Sequence, residues 1–93
     1  MFDSQKKEKQ ALALILKTYF KAPINTPICL ELEFNYLSKK KGVHGSRPDI
    51  DNLIKFVLDA GNGIVWTDDA LVYKISAIKN YTDNNSIVLI VQP

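Results

Sequence analysis

The hydrophobic pattern along the chain predicts an α+β fold, with helices packed on one face of a small mixed β-sheet. Three observations predict it. First, apolar residues recur at helical spacing in Leu12, Ile15, Leu16, Tyr19 and Phe20, and again in Ile50, Leu53, Ile54, Val57 and Leu58. Second, residues 28–36 alternate: Ile28, Leu30, Leu32, Phe34 and Tyr36 point one way and Cys29, Glu31, Glu33 and Asn35 the other. Third, two extended stretches rich in β-formers close the chain. The order helix, strand, helix, strand, strand suits a helical layer against a sheet.

Local signals set the expected boundaries. Asp3 or Ser4 can cap a first helix running from Lys6 to Phe20. Lys6, Lys7, Lys9 and Lys17 supply its wet side, and Pro23 with Asn25-Thr26-Pro27 ends it. Residues 37–48, with Gly42, Gly45 and Pro48, read as a polar loop. A second helix is predicted from Asp49–Asp51 to Ala60–Gly61, with Gly61 and Gly63 as stop signals. Ile64-Val65-Trp66 reads as a short extended piece. Leu71 to Lys79 and Ser86 to Val91 read as strands, and Asp83-Asn84-Asn85 predicts that they form an antiparallel hairpin.

The length of 93 residues predicts one domain over 1–93. A chain this small buries only about two-thirds of its unfolded surface, which makes dimerisation physically attractive. Cys29 is alone, so there is no disulfide framework and no zinc-finger spacing; its apolar neighbours predict a buried core thiol. No signal peptide and no membrane-spanning run is visible, so the expectation is a cytoplasmic protein without a membrane partner.

The net charge of +2 does not announce a nucleic-acid binder. Its distribution says more. Lys39-Lys40-Lys41 and Arg47 crowd into one loop, while acids gather at Asp49, Asp51, Asp59, Asp68 and Asp69. A metal-using phosphodiesterase needs such a pair of regions, acids for the metal and bases for the polyanion. Magnesium prefers oxygen ligands, typically one or two carboxylates plus waters and phosphates. Asp49 and Asp51 stand at the expected start of the second helix, where the helix dipole favours negative charge. Lys55 lies one turn beyond Asp51, and Asn52 can donate to a phosphate or to a ligand carboxylate. Asp59 can join that site or pair with Lys55. Asp68 and Asp69 are adjacent, so one suits a ligand and the other a cap or outer partner.

Each feature also has a plainer reading. Asp49 or Asp51 alone suits a helix cap, Asp51 with Lys55 a surface ion pair, and Asp68-Asp69 a turn. Asp49-Ile50-Asp51-Asn52-Leu53 lacks the third acid and the glycine of a calcium loop. His44, between two glycines in the basic loop, suits a solvated residue or a substrate contact. Trp66 suits core or dimer packing. Lys74 and Lys79 fall on opposite faces of their strand, so only one can face DNA.

Taken together, Arg47-Pro48-Asp49-Ile50-Asp51-Asn52-Leu53-Ile54-Lys55, followed by Asp68-Asp69 and the apolar Ala70-Leu71-Val72, resembles the RusA family of Holliday junction resolvases. Asp3-Ser4-Gln5-Lys6-Lys7 also looks like the segment that opens the first helix in phage-type members. The resemblance implies a RusA-like fold and a magnesium- or manganese-dependent endodeoxyribonuclease acting in DNA recombination and repair. It implies a homodimer that resolves four-way junction DNA by paired nicks, with no small-molecule cofactor. By the motif, Asp49, Asp51 and Asp69 match the catalytic, metal-holding acids, with Asp68 beside them, and Lys55 matches the catalytic lysine. Lys39, Lys40, Lys41, His44, Arg47 and Asn52 become the expected DNA contacts. Two departures stand out. Family members usually carry one or two strands before the first helix, whereas this chain begins almost at it. A second reading is therefore a shortened relative that folds, dimerises and binds DNA without cutting. The usual Asp-Ala-Leu-Asn-Gly is here Asp59-Ala60-Gly61-Asn62-Gly63, and the added glycine predicts a frayed helix end.

Overall fold

The computed structural model describes residues 5–93. The elements follow as α1 (Lys6–Tyr19), β1 (Ile28–Leu37), β2 (Gly42–Val43), α2 (Ile50–Gly61), a short 3-10 turn at Asp69–Leu71, β3 (Val72–Thr82) and β4 (Ser86–Gln92). Two helices and one mixed four-stranded sheet make the α+β arrangement that the patterning predicts. The proposed caps Asp3 and Ser4 lie outside the described residues.

Alternation makes β1 the organising strand. Ile28, Leu30, Leu32 and Phe34 are each at most 2% exposed, and Leu16 of α1 with Val57 and Ala60 of α2 packs in the same core. Burying those four β1 side chains stabilises the fold by roughly 6–12 kcal/mol before conformational entropy is counted. Both helices thus cover one face of the sheet. The other face carries Glu31 and Glu33 and leaves Ile78, Val88 and Ile90 exposed. Cys29 lies on that second face, half-buried, with Sγ 3.8 Å from Gln92 Oε1. It is not the core thiol predicted, because its neighbours in sequence are apolar but its own pleat position faces away from the helices.

The predicted hairpin does not form. The strand order is β2-β3-β1-β4, with β1 parallel to β3 and antiparallel to β4. Asp83–Asn85 does reverse the chain, but it steps across the end of β1. Asn85 Oδ1 accepts the Leu37 amide at 2.8 Å, and Thr82 O accepts the Ser38 amide at 3.1 Å. Crossing two strand spacings takes about 9.5 Å, within reach of a three-residue link at roughly 3.3–3.6 Å per residue. An interior place goes to β1, the strand with the most fully buried side chains, and there both of its backbone edges are paired, to β3 and β4.

Other boundaries moved for equally local reasons. Phe20 is the extended cap of α1, its amide donating to Leu16 O at 2.9 Å. The inward stripe of α1 is narrow: Leu16 is buried and Leu12 and Phe20 pack against the core, whereas Ile15 and Tyr19 are exposed. Residues 42–43 of the expected loop pair with Tyr81 and Asn80 of β3. Ile64-Val65-Trp66 is a turn rather than an extended piece, closed by bonds from the Gly63 amide to Trp66 O at 2.7 Å and from the Val65 amide to Gly61 O at 2.8 Å. Trp66 is fully buried in the core.

Gly61 does not fray α2; it is the buried last residue of the helix. A Cβ there would stand 2.6 Å from Trp66 Cη2 and 2.7 Å from Cζ2, so the missing side chain is what lets the indole lie against the helix. Gly61→Ala is expected to cost about 1–3 kcal/mol through overpacking. At about 4–8 °C per kcal/mol for a domain this size, thermal unfolding followed by circular dichroism will show it. An unchanged Tm would mean that Trp66 can move aside freely.

Candidate functional site

The segment 44–49 delivers the first half of the motif to the N-terminus of α2. It is held at several points. The His44 amide donates to Lys79 O at 3.1 Å. The His44 ring lies between Tyr81, stacked at 4.4 Å, and Tyr36, tilted at 4.7 Å, and its Nδ1 accepts the Ser46 amide at 3.1 Å. Lys79 Nζ donates to Ser46 O at 2.5 Å and to Pro48 O at 2.7 Å. The Arg47–Pro48 bond between those two carbonyls is cis. Burial raises the Tyr36 phenol above its ordinary range, so this tyrosine stays neutral beside the ring of His44.

His44 is 6% exposed, which overturns its reading as a solvated loop residue or a DNA contact. Its ring fills the space under the loop. Glycine and serine neighbours suggested solvent, but the aromatic pair that encloses it comes from β1 and β3, far away in sequence.

Beyond this anchor the motif side chains are displayed outward. Asp49 occupies the N-cap position of α2 with extended backbone, and its carboxylate makes no capping bond. Asp51 follows in the first turn, one oxygen accepting the Asn52 amide at 3.0 Å. Arg47, Asp49, Asp51, Asn52 and Lys55 are all exposed. Lys55 forms no ion pair with Asp51 or Asp59 among the described residues; Asp59 instead accepts from Lys9 at 2.9 Å. Around Asp49 and Asp51 stand a guanidinium and an ammonium without acidic partners among the described residues. Such a patch can hold a cation and a phosphate together.

The lysine loop contributes unevenly. Lys39 and Lys40 extend into solvent, their ammonium groups without partners among the described residues. Lys41 is tied down, donating to Ser38 O at 2.9 Å and pairing with Asp83 at 2.5 Å. The hydrogen bond and charge of Lys41 hold the Asp83 carboxyl below the usual carboxylate range.

Asp68 and Asp69 divide their roles as adjacency requires. Asp68 caps the 3-10 turn, its Oδ1 accepting the Ala70 amide at 2.9 Å. Asp69 is half-buried, and its Oδ1 accepts the indole N–H of Trp66 at 2.6 Å. The bond orients the carboxylate and leaves its second oxygen available. Trp66 is therefore more than core filling, a role the sequence reading missed. The spacing Trp-x-x-Asp across a turn carries the signal.

One chain does not bring the two acidic groups together. Trp66 lies against Gly61 at the C-terminal end of α2, and Asp69 is bonded to Trp66. Asp51 stands ten residues before Gly61, which along a helix is about 15 Å. Among the described residues, no three His, Cys, Asp or Glu side chains converge closely enough to hold a metal ion. The carboxylate chemistry suits magnesium, but a single chain does not gather Asp49, Asp51 and Asp69 as one ligand set.

An α+β domain that presents carboxylates and cations together at one helix start can accommodate a cation beside a phosphate. The sequence profile described as Endodeoxyribonuclease RusA matches residues 2–92, and the chain belongs to that family of Holliday junction endonucleases. No curated protein matches it.

Proposed function

We propose that this protein is a divalent-metal-dependent endodeoxyribonuclease that resolves four-way DNA junctions as a homodimer. The observation that carries this reading is the separation of the acids. Asp49 and Asp51 face solvent at one end of α2, and Asp69 holds a half-satisfied carboxylate at the other. A second copy related by a two-fold axis can bring its Asp69 to Asp49 and Asp51, and the reverse contact completes an identical set. Two equivalent sites match the two strands that must be nicked.

In this reading Asp49, Asp51 and the partner's Asp69 hold magnesium or manganese, with Asp68 steadying its neighbour's turn. The metal supplies charge neutralisation at the scissile phosphate. Arg47 grips non-bridging oxygens through its forked donors, and Lys55 offers a point charge where negative charge builds up. Asn52 donates its amide to the backbone. Lys39 and Lys40 add sequence-independent contacts, so cutting weakens as salt rises.

The test is cleavage of a synthetic four-way junction beside a linear duplex of matched sequence. With magnesium, the junction is expected to yield paired, ligatable nicks and the duplex to stay intact. With a chelator neither is cut. Equal cutting of both substrates, or cutting in chelator, would reject the proposal.

A further inference from the structure

The register of β3 places Lys79 opposite Phe34, on the sheet face that the helices cover. The same face of β3 carries Ile75 and Ala77, which pack against the core. An ammonium in that row is costly unless its donors are matched. Lys79 is half-buried, and no carboxylate pairs with it among the described residues. Instead two of its three donors are spent on the main chain, on Ser46 O at 2.5 Å and Pro48 O at 2.7 Å. Those carbonyls flank Arg47, and the second belongs to the peptide that leads into Asp49. The main-chain carbonyl of Lys79 holds the His44 amide at 3.1 Å, so one residue grips the segment through both its backbone and its side chain.

We infer that Lys79 is a positioning residue for the nuclease site: by holding the carbonyls of Ser46 and Pro48 inward, it fixes the side chains of Arg47 and Asp49 outward. The inference rests on the function proposed above for those two residues. If burial alone were needed at this position, leucine or isoleucine would serve better, as at Ile75. An ammonium is useful because it can bind two carbonyls from different peptides at once. Lys79 does not touch the phosphate. It acts through the loop, restricting the chain between two clamped points so that guanidinium and carboxylate need not be ordered when DNA arrives.

Lys79→Met tests this, since methionine keeps an apolar stem and removes the donors. Hydrogen–deuterium exchange of the protein without metal or DNA is expected to speed up at least about tenfold in the peptide covering 43–49, with β1 unchanged. Junction cutting at saturating DNA is expected to fall by about 10–100-fold, as when other groups that orient metal ligands are removed. The magnesium concentration for half-maximal rate should rise with it. Lys79→Arg, which retains several donors, should recover most of both. A role in stability alone would lower Tm without moving the magnesium requirement. Exchange in 43–49 as slow as wild type, or an unchanged rate and magnesium requirement, overturns the assignment. If Lys79→Met does not fold, Lys79→Gln is read in the same way. A wild-type protein that fails to cut junctions refutes the proposed function instead, while the exchange experiment still judges the clamp.

Discussion

Asp51→Asn is expected to abolish junction cutting while leaving junction binding in chelator intact or tighter. Asparagine keeps the shape of aspartate, and its side-chain oxygen can still accept the Asn52 amide that Asp51 holds at 3.0 Å. It removes the negative charge. A metal that stabilises developing phosphate charge is worth several kcal/mol, and each 1.36 kcal/mol is about tenfold in rate. A loss of about 10³-fold or more follows. Binding responds in the opposite sense, because an anion beside a polyanion repels it and its removal relieves that repulsion. Asp51 is exposed in the first turn of α2, so the fold should tolerate the change, and Tm should move little. Full cutting by Asp51→Asn would end the assignment of this carboxylate to the site. Weak cutting with equally weak junction binding would place it in DNA contact instead.

Mixing two inactive variants should restore activity. Asp51→Asn and Asp69→Asn are each expected to fail alone, since every site then lacks one acid. In a mixed dimer, however, the Asp51 of one copy and the Asp69 of the other are both intact at one of the two sites. Random exchange between two-fold dimers leaves about a quarter of all sites complete. The restored reaction should give single nicks rather than paired ones, because the second site of the same dimer carries both substitutions. The measurement is nicking of a labelled junction after subunit exchange, with heterodimer content followed by native mass spectrometry. Heterodimers that form without cutting would show that the two acidic groups are not completed across copies. The distance along α2 is what makes this experiment informative. Were Asp69 beside Asp49 within one chain, mixing would change nothing.

The elements that the chain spells out plainly are those whose signal is local. The alternation in Ile28–Tyr36 specifies which face of β1 is apolar, and the fold obeys it at Ile28, Leu30, Leu32 and Phe34. The spacing of Ile50, Leu53, Ile54, Val57 and Leu58 and the glycine at its end mark α2 to within a residue. The run from Arg47 to Lys55 with Asp68-Asp69 was enough to point to the family, and the profile match over residues 2–92 shows it. None of this depends on what packs against what.

Other features belong to the folded state alone. Asp83-Asn84-Asn85 correctly encodes a reversal, but turn chemistry does not say whether a third strand lies between the two it joins. That is decided by competition for an interior place in the sheet, which β1 wins through its burial. His44 looks solvated among glycines until Tyr36 and Tyr81 close on it. Lys79 looks like one more surface cation until β3 turns it toward Ser46 and Pro48. The motif itself named the acids, since a carboxylate's chemistry is carried by its own residue. It could not say that Asp49 and Asp51 stand at one end of α2 and Asp69 at the other. Convergence is a relation between distant segments, and only the packing of helix, turn and sheet sets it.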